Sequence, residues 1–159
     1  MTPHDTRTSR DDEAYRAFDF WIGDWTVTEN GASAGTNRIV AELDGAVLSE
    51  TWSGTSGVRG RSLSFYDRHR RRWHQTWIDS DGGVLHLDGG PVGRAMRLEG
   101  EGTEPGTLLP VEERITWTPN ADGTVRQHWE RKALGMQDWT TVFDGLYRRS
   151  ADRAAPARD

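Results

Sequence analysis

The chain contains no cysteine. Disulfides, thiolate metal sites and cysteine nucleophiles are therefore excluded, which fits a reducing compartment. Long apolar runs are missing too. No stretch approaches the roughly 20 residues that a membrane-crossing helix needs. Met1 to Glu13 lacks the apolar core of a signal peptide. Basic residues are not in excess: 20 Lys and Arg stand against 25 Asp and Glu, a net charge of −5. Nucleic-acid binders usually carry a basic face, so that class is disfavoured. The expected setting is the cytoplasm, with neither a nucleic-acid nor a membrane partner.

Catalytic signatures are scarce as well. Ser53 and Ser56 adjoin glycines, but no nucleophile elbow surrounds them. The glycines are too scattered for a phosphate loop. His69, His74 and His86 are separated by five and twelve residues, which matches no common ligand pattern, so no metal is expected. Arg68-His69-Arg70-Arg71-Arg72 reads as a solvated hairpin tip.

What is present is tryptophan. Eight are spread over 159 residues. Each brings a large surface with one N–H to satisfy. The length suits one domain with its own core. Residues 1–13 and 150–159 are polar or Ala/Arg/Asp/Pro-rich and read as disordered tails.

Between them, 14–149 reads as a barrel. Ala14 to Ile22 suggests a short helical turn, with Tyr15, Phe18 and Trp21 or Ile22 on one face and Gly23 ending it. Ten short strands follow, from Trp25–Glu29 to Trp139–Arg148. Asp44-Gly45, Asp81-Gly82-Gly83, Asp88-Gly89-Gly90-Pro91 and Asn120-Ala121-Asp122-Gly123 supply turn chemistry. Closure removes exposed strand edges. The expected fold is thus all-β: a closed antiparallel up-and-down barrel of about 8–10 strands. A two-sheet sandwich is the alternative.

Side chains alternate across a strand. The apolar side of each strand is expected to face inward. That side holds Trp25 and Val27; Leu48, Glu50 and Trp52; Leu63 and Phe65; Trp73, Gln75 and Trp77. Further on it holds Met96 and Leu98; Ile115 and Trp117; Val125, Gln127, Trp129 and Arg131; and Trp139, Thr141, Phe143 and Tyr147. The opposite side is mostly polar. Glu50, Gln75, Gln127, Arg131 and Thr141 are polar residues on the inward side, where a charge needs a partner.

Three segments resemble one family. Phe18-Asp19-Phe20-Trp21-Ile22-Gly23-Asp24-Trp25 is similar to the opening FDFxxGxW segment of a bacterial lipocalin-like, calycin-type family of unknown function. Glu50-Thr51-Trp52-Ser53-Gly54, Ser62 to Asp67 and Trp77 to Ser80 resemble its middle, and Phe143 to Arg149 its end. The resemblance implies a barrel with a lumen. It also implies that Arg148 or Arg149 packs over Trp25 as a cation–π closure. Some related small barrels bind haem, but their opening is richer in glycine, whereas Thr26, Val27 and Thr28 follow Trp25 here.

Three functions fit these readings. The first is binding of a small, largely apolar molecule by Trp52, Phe65, Trp73, Gln75, Trp77, Trp117, Gln127, Trp129, Thr141 and Phe143. The second is a cofactor-independent acid–base enzyme (an isomerase, cyclase, hydratase or lyase) with Glu50 as proton donor or acceptor and Arg131 steadying charge. The third is a structural or dimerising module with a filled lumen. No cofactor is expected in any of them. An apolar last strand could support a homodimer.

Overall fold

Several pairs of a polar residue and a glycine sit where the chain reverses. Asn30-Gly31 and Asp44-Gly45 both adopt positive φ, the geometry of tight hairpins. Ten strands separated by such turns fill residues 12–150, the part that the computed structural model describes. A short helix, α1 (Glu13–Arg16), and a 3-10 turn (Asp19–Trp21) come first. The strands are β1 (Gly23–Glu29), β2 (Ala32–Glu42), β3 (Val47–Gly54), β4 (Arg59–Asp67), β5 (Arg72–Asp79), β6 (Val84–Val92), β7 (Ala95–Thr103), β8 (Pro110–Pro119), β9 (Val125–Ala133) and β10 (Thr140–Arg149). Each pairs antiparallel with the next, and β10 pairs with β1. The sheet closes into an up-and-down barrel with no free edge, so the sandwich alternative falls. β10 is bonded on both sides and offers no strand edge to a second copy.

Of the expected tails, residues 1–11 and 151–159 lie outside the described residues. Asp12 caps α1 through the Ala14 amide, and the Ser150 amide donates to the Asp24 carbonyl.

The segment before β1 stoppers one end of the barrel. Phe18 and Trp21 are fully buried there. Phe18 stacks on Trp21 at 4.9 Å and meets Trp73 and Trp117 edge-on at 5.7 and 5.0 Å. The Trp21 carbonyl accepts the Trp25 indole N–H at 2.8 Å, which ties the plug to the first strand. Arg149, not Arg148, lies 4.3 Å over the Trp25 ring, because it sits opposite Trp25 in the β1–β10 register.

The inward sides follow expectation on β1, β3, β5, β7, β8 and most of β9. Three places differ. On β4 the buried residues are Gly60, Ser62 and Ser64, while Leu63 is 51% exposed. Phe65, on the same side as Leu63, packs against His74 on the outer wall. The small inward serines make room for the larger Glu50 and Gln75 beside them. At the start of β10 a bulge between Thr141 and Phe143 reverses the alternation. Thr141 therefore points outward and meets His128, and Trp139 lies outside beneath Arg114 and Lys132. Finally, Asp88-Gly89-Gly90-Pro91 is strand and not turn; the reversal comes at Gly93. A Cβ at Gly89 would collide with the Arg97 carbonyl, so glycine there serves close strand approach.

The outer wall is laced with ion pairs, such as Arg114–Glu130 at 2.9 Å and Arg126–Asp144 at 2.8 Å. His86 is on this wall and exposed.

Candidate functional site

Towards the other end the lumen is not filled. A cavity of about 120 Å³, partly open to solvent, lies among Glu50, Trp52, Gln75, Trp77, Leu85, Ile115, Gln127, Trp129, Phe143 and Tyr147. Trp77, Leu85 and Trp129 also border a vestibule between the β5–β6 turn and the β7–β8 loop.

Glycines make room for the aromatic walls. A Cβ at Gly60 would overlap the Trp77 ring, and one at Gly145 would overlap the Phe143 ring. One at Gly35 would come within 2.9 Å of the Trp52 ring. Each glycine is a seat on which a ring lies against the strand. Carboxylates pin two of the indoles. The Trp77 N–H donates to Asp79 at 3.1 Å, and the same carboxylate accepts the Asp81 and Gly83 amides in the β5–β6 turn. The Trp129 N–H donates to Glu113 at 2.6 Å.

The cavity floor is polar. Glu50 is 5% exposed and accepts from Asn37 Nδ2 and Ser62 Oγ, both at 2.6 Å. Asn37 Nδ2 also donates to the Tyr147 hydroxyl at 3.0 Å, and Tyr147 donates to Gln127 Oε1 at 2.5 Å. Gln75 Nε2 donates to Ser64 Oγ at 2.9 Å. Burial pushes the Glu50 carboxyl up from its ordinary value, against the opposing pull of the Asn37 and Ser62 donors. Burial and the nearby Glu50 charge push the Tyr147 phenol well up.

A carboxyl whose pKa is raised by folding stabilises the fold while it is neutral. That contribution is present below the ordinary value of 4.5 and is lost as pH rises through the folded value. Glu50→Gln, neutral at every pH, should gain stability relative to the unaltered chain as pH increases above 4.5. Melting temperatures of both proteins across pH 4–8 check this; a constant difference contradicts it.

Seven of the sequence-derived residues thus come together: Glu50, Trp52, Gln75, Trp77, Gln127, Trp129 and Phe143. Trp73 and Trp117 are buried elsewhere, against the plug. Phe65 and Thr141 are on the outside for the reasons given. Arg131 does not meet Glu50. Its Nε and Nη2 both bond Glu113 Oε1 at 2.8 Å, at the rim of the vestibule. Glu113, Asn37 and Ser62 had not been singled out. Glu113 shares the side of Ile115 and Trp117, and Asn37 that of Ile39, so alternation alone would have found these two, whereas it puts Ser62 on the wrong side.

Fold and cavity define a closed antiparallel β-barrel plugged at one end and hollow at the other. The chain matches no protein-family model and no curated protein. Among the described residues no helix is long and apolar enough to cross a membrane, and no cluster of His, Asp or Glu is set to hold a metal.

Proposed function

We propose that this barrel is a lipocalin-like, calycin-type binding protein that holds a small, largely apolar molecule in its lumen. The observation that carries this reading is the cavity walled by Trp52, Trp77, Leu85, Trp129 and Phe143 over a floor of a few hydrogen-bonded polar groups. Ligand sites combine apolar walls with few placed polar groups in this way. The lack of cysteine supports action in a reducing setting such as a bacterial cytoplasm. The net negative charge weighs against a nucleic-acid partner. A homodimer would have to use outer side chains such as Val142, which is 37% exposed.

A second reading rests on Glu50, a carboxyl in the cavity wall with a raised pKa, the property of a general acid. The geometry favours binding instead. Both Glu50 oxygens already accept strong hydrogen bonds, and the cation meant to assist it is tied to Glu113. The filled-lumen reading fits only the plugged half.

Native mass spectrometry of freshly purified protein, with an absorbance spectrum of the same sample, tests the binding reading. The expected result is a small-molecule adduct lost on denaturation. Gly60→Ala should reduce that adduct by about tenfold or more, because the added methyl forces Trp77 off its seat and into the cavity. An adduct equally abundant in Gly60→Ala, or turnover abolished by Glu50→Gln with binding intact, would count against it.

A further inference from the structure

The cavity floor has a donor–acceptor pattern that limits what can fill it. Tyr147 accepts from Asn37, so its own proton goes to Gln127 Oε1. That leaves the Gln127 NH2 end without a protein partner among the described residues. Gln75 uses its NH2 end on Ser64, which leaves Gln75 Oε1 likewise without one. Unlike the sealed and unpaired Trp21 Nε1, Asn37 Oδ1 and Trp117 Nε1, both atoms keep some accessible surface, and their residues line the cavity. One offers a donor and the other an acceptor. β5 and β9, which carry them, lie on opposite sides of the ten-stranded ring.

Charge is limited as strictly. No cation lines the cavity. Its one carboxyl, Glu50, has both oxygens engaged by Asn37 and Ser62. An anion would find no cationic side chain there, and a cation would have to share Glu50 with the Asn37 and Ser62 donors that already hold one bond to each of its oxygens. Shape is the third limit. Trp52, Trp77 and Phe143 pack against glycines, and the Trp52 and Phe143 rings stand at 77° to each other, so a guest meets a ring face beside a ring edge. Aromatic faces favour an offset-stacked planar guest. A cavity of about 120 Å³ encloses one six-membered ring, and a second fused ring would extend between the indoles of the mouth.

We propose that the lumen takes a flat, uncharged molecule of one or two fused rings, with a hydrogen-bond donor at one edge and an acceptor at the opposite edge. The donor meets Gln75 Oε1 and the acceptor meets the Gln127 amide. This rests on the lumen being a binding site.

A tryptophan-fluorescence titration with four probes tests it. The probes are 4-quinolone, N-methyl-4-quinolone, naphthalene and N-methylquinolinium. 4-Quinolone carries N–H and C=O on opposite edges and should bind tightest. Loss of the N–H should weaken binding about tenfold, and loss of both groups more, since a buried polar group left unpaired costs about one such factor. In Gln75→Leu the gap between 4-quinolone and its N-methyl form should close. The probe series on the unaltered protein stands by itself should that variant fail to fold. Naphthalene or N-methylquinolinium binding as tightly as 4-quinolone overturns the ligand class and leaves the lumen as a binding site. Failure of all four probes, together with adduct-free native spectra, overturns the binding reading itself.

Discussion

Trp21→Ala should lower stability by about 3–5 kcal/mol, the usual cost of truncating a fully buried tryptophan. Calorimetry should show this as a fall in Tm of roughly 10 °C for a domain of this size. Trp21 is 0% exposed, stacked on Phe18 and 5.4 Å from the Trp117 ring. The prediction decides what the plug is. If residues 18–21 were a cover laid on a finished barrel, the loss would be under about 1 kcal/mol, as for a surface substitution. A large loss makes the plug part of the core, and barrel and plug should then unfold in one transition.

Arg131→Met should cost about 3 kcal/mol. The Glu113 carboxylate is 1% exposed. Without Arg131 it keeps a single donor, the Trp129 indole. Removing one partner of a buried pair leaves an uncompensated charge, which is worse than removing both. The double variant Arg131→Met, Glu113→Leu should therefore recover much of the loss. Urea denaturation of the single and double variants measures it. A single-variant loss under about 0.5 kcal/mol would show the pair to be dispensable. Ligand affinity separates this account from a catalytic Arg131: as a rim residue paired with Glu113, its loss should act on the mouth only through Trp129.

The strands were legible because their signal is local. Alternation and turn glycines act within a few residues, and ten strands follow from them, although the glycines at 89 and 90 lie inside β6 and not in a turn. The faces of β4 were not, because the barrel's demand there runs against apolarity. Ser62 is inside since Glu50 needs a donor, and Leu63 is outside, across from Thr76 on β5. That demand comes from neighbouring strands and leaves no mark within β4. The β10 bulge is hidden in the same way, since Thr141-Val142-Phe143 reads as unbroken strand. The partners of the buried charges were the hardest to foresee. Glu50 and Arg131 were the conspicuous inward charges, yet each is satisfied by an adjacent strand: Glu50 by β2 and β4, Arg131 by β8. Register decides these pairings, and register becomes visible only once the sheet has closed.

A vessel stoppered at one end has a single doorway. A guest must leave by the route it entered, and a newcomer cannot push it out from behind. Its escape rate should then be the same however much competitor surrounds the barrel, and exchange should proceed strictly by vacancy. Whatever part of the guest enters last stays nearest the water, so any tail, tether or carrier attached to the guest must hang from that side.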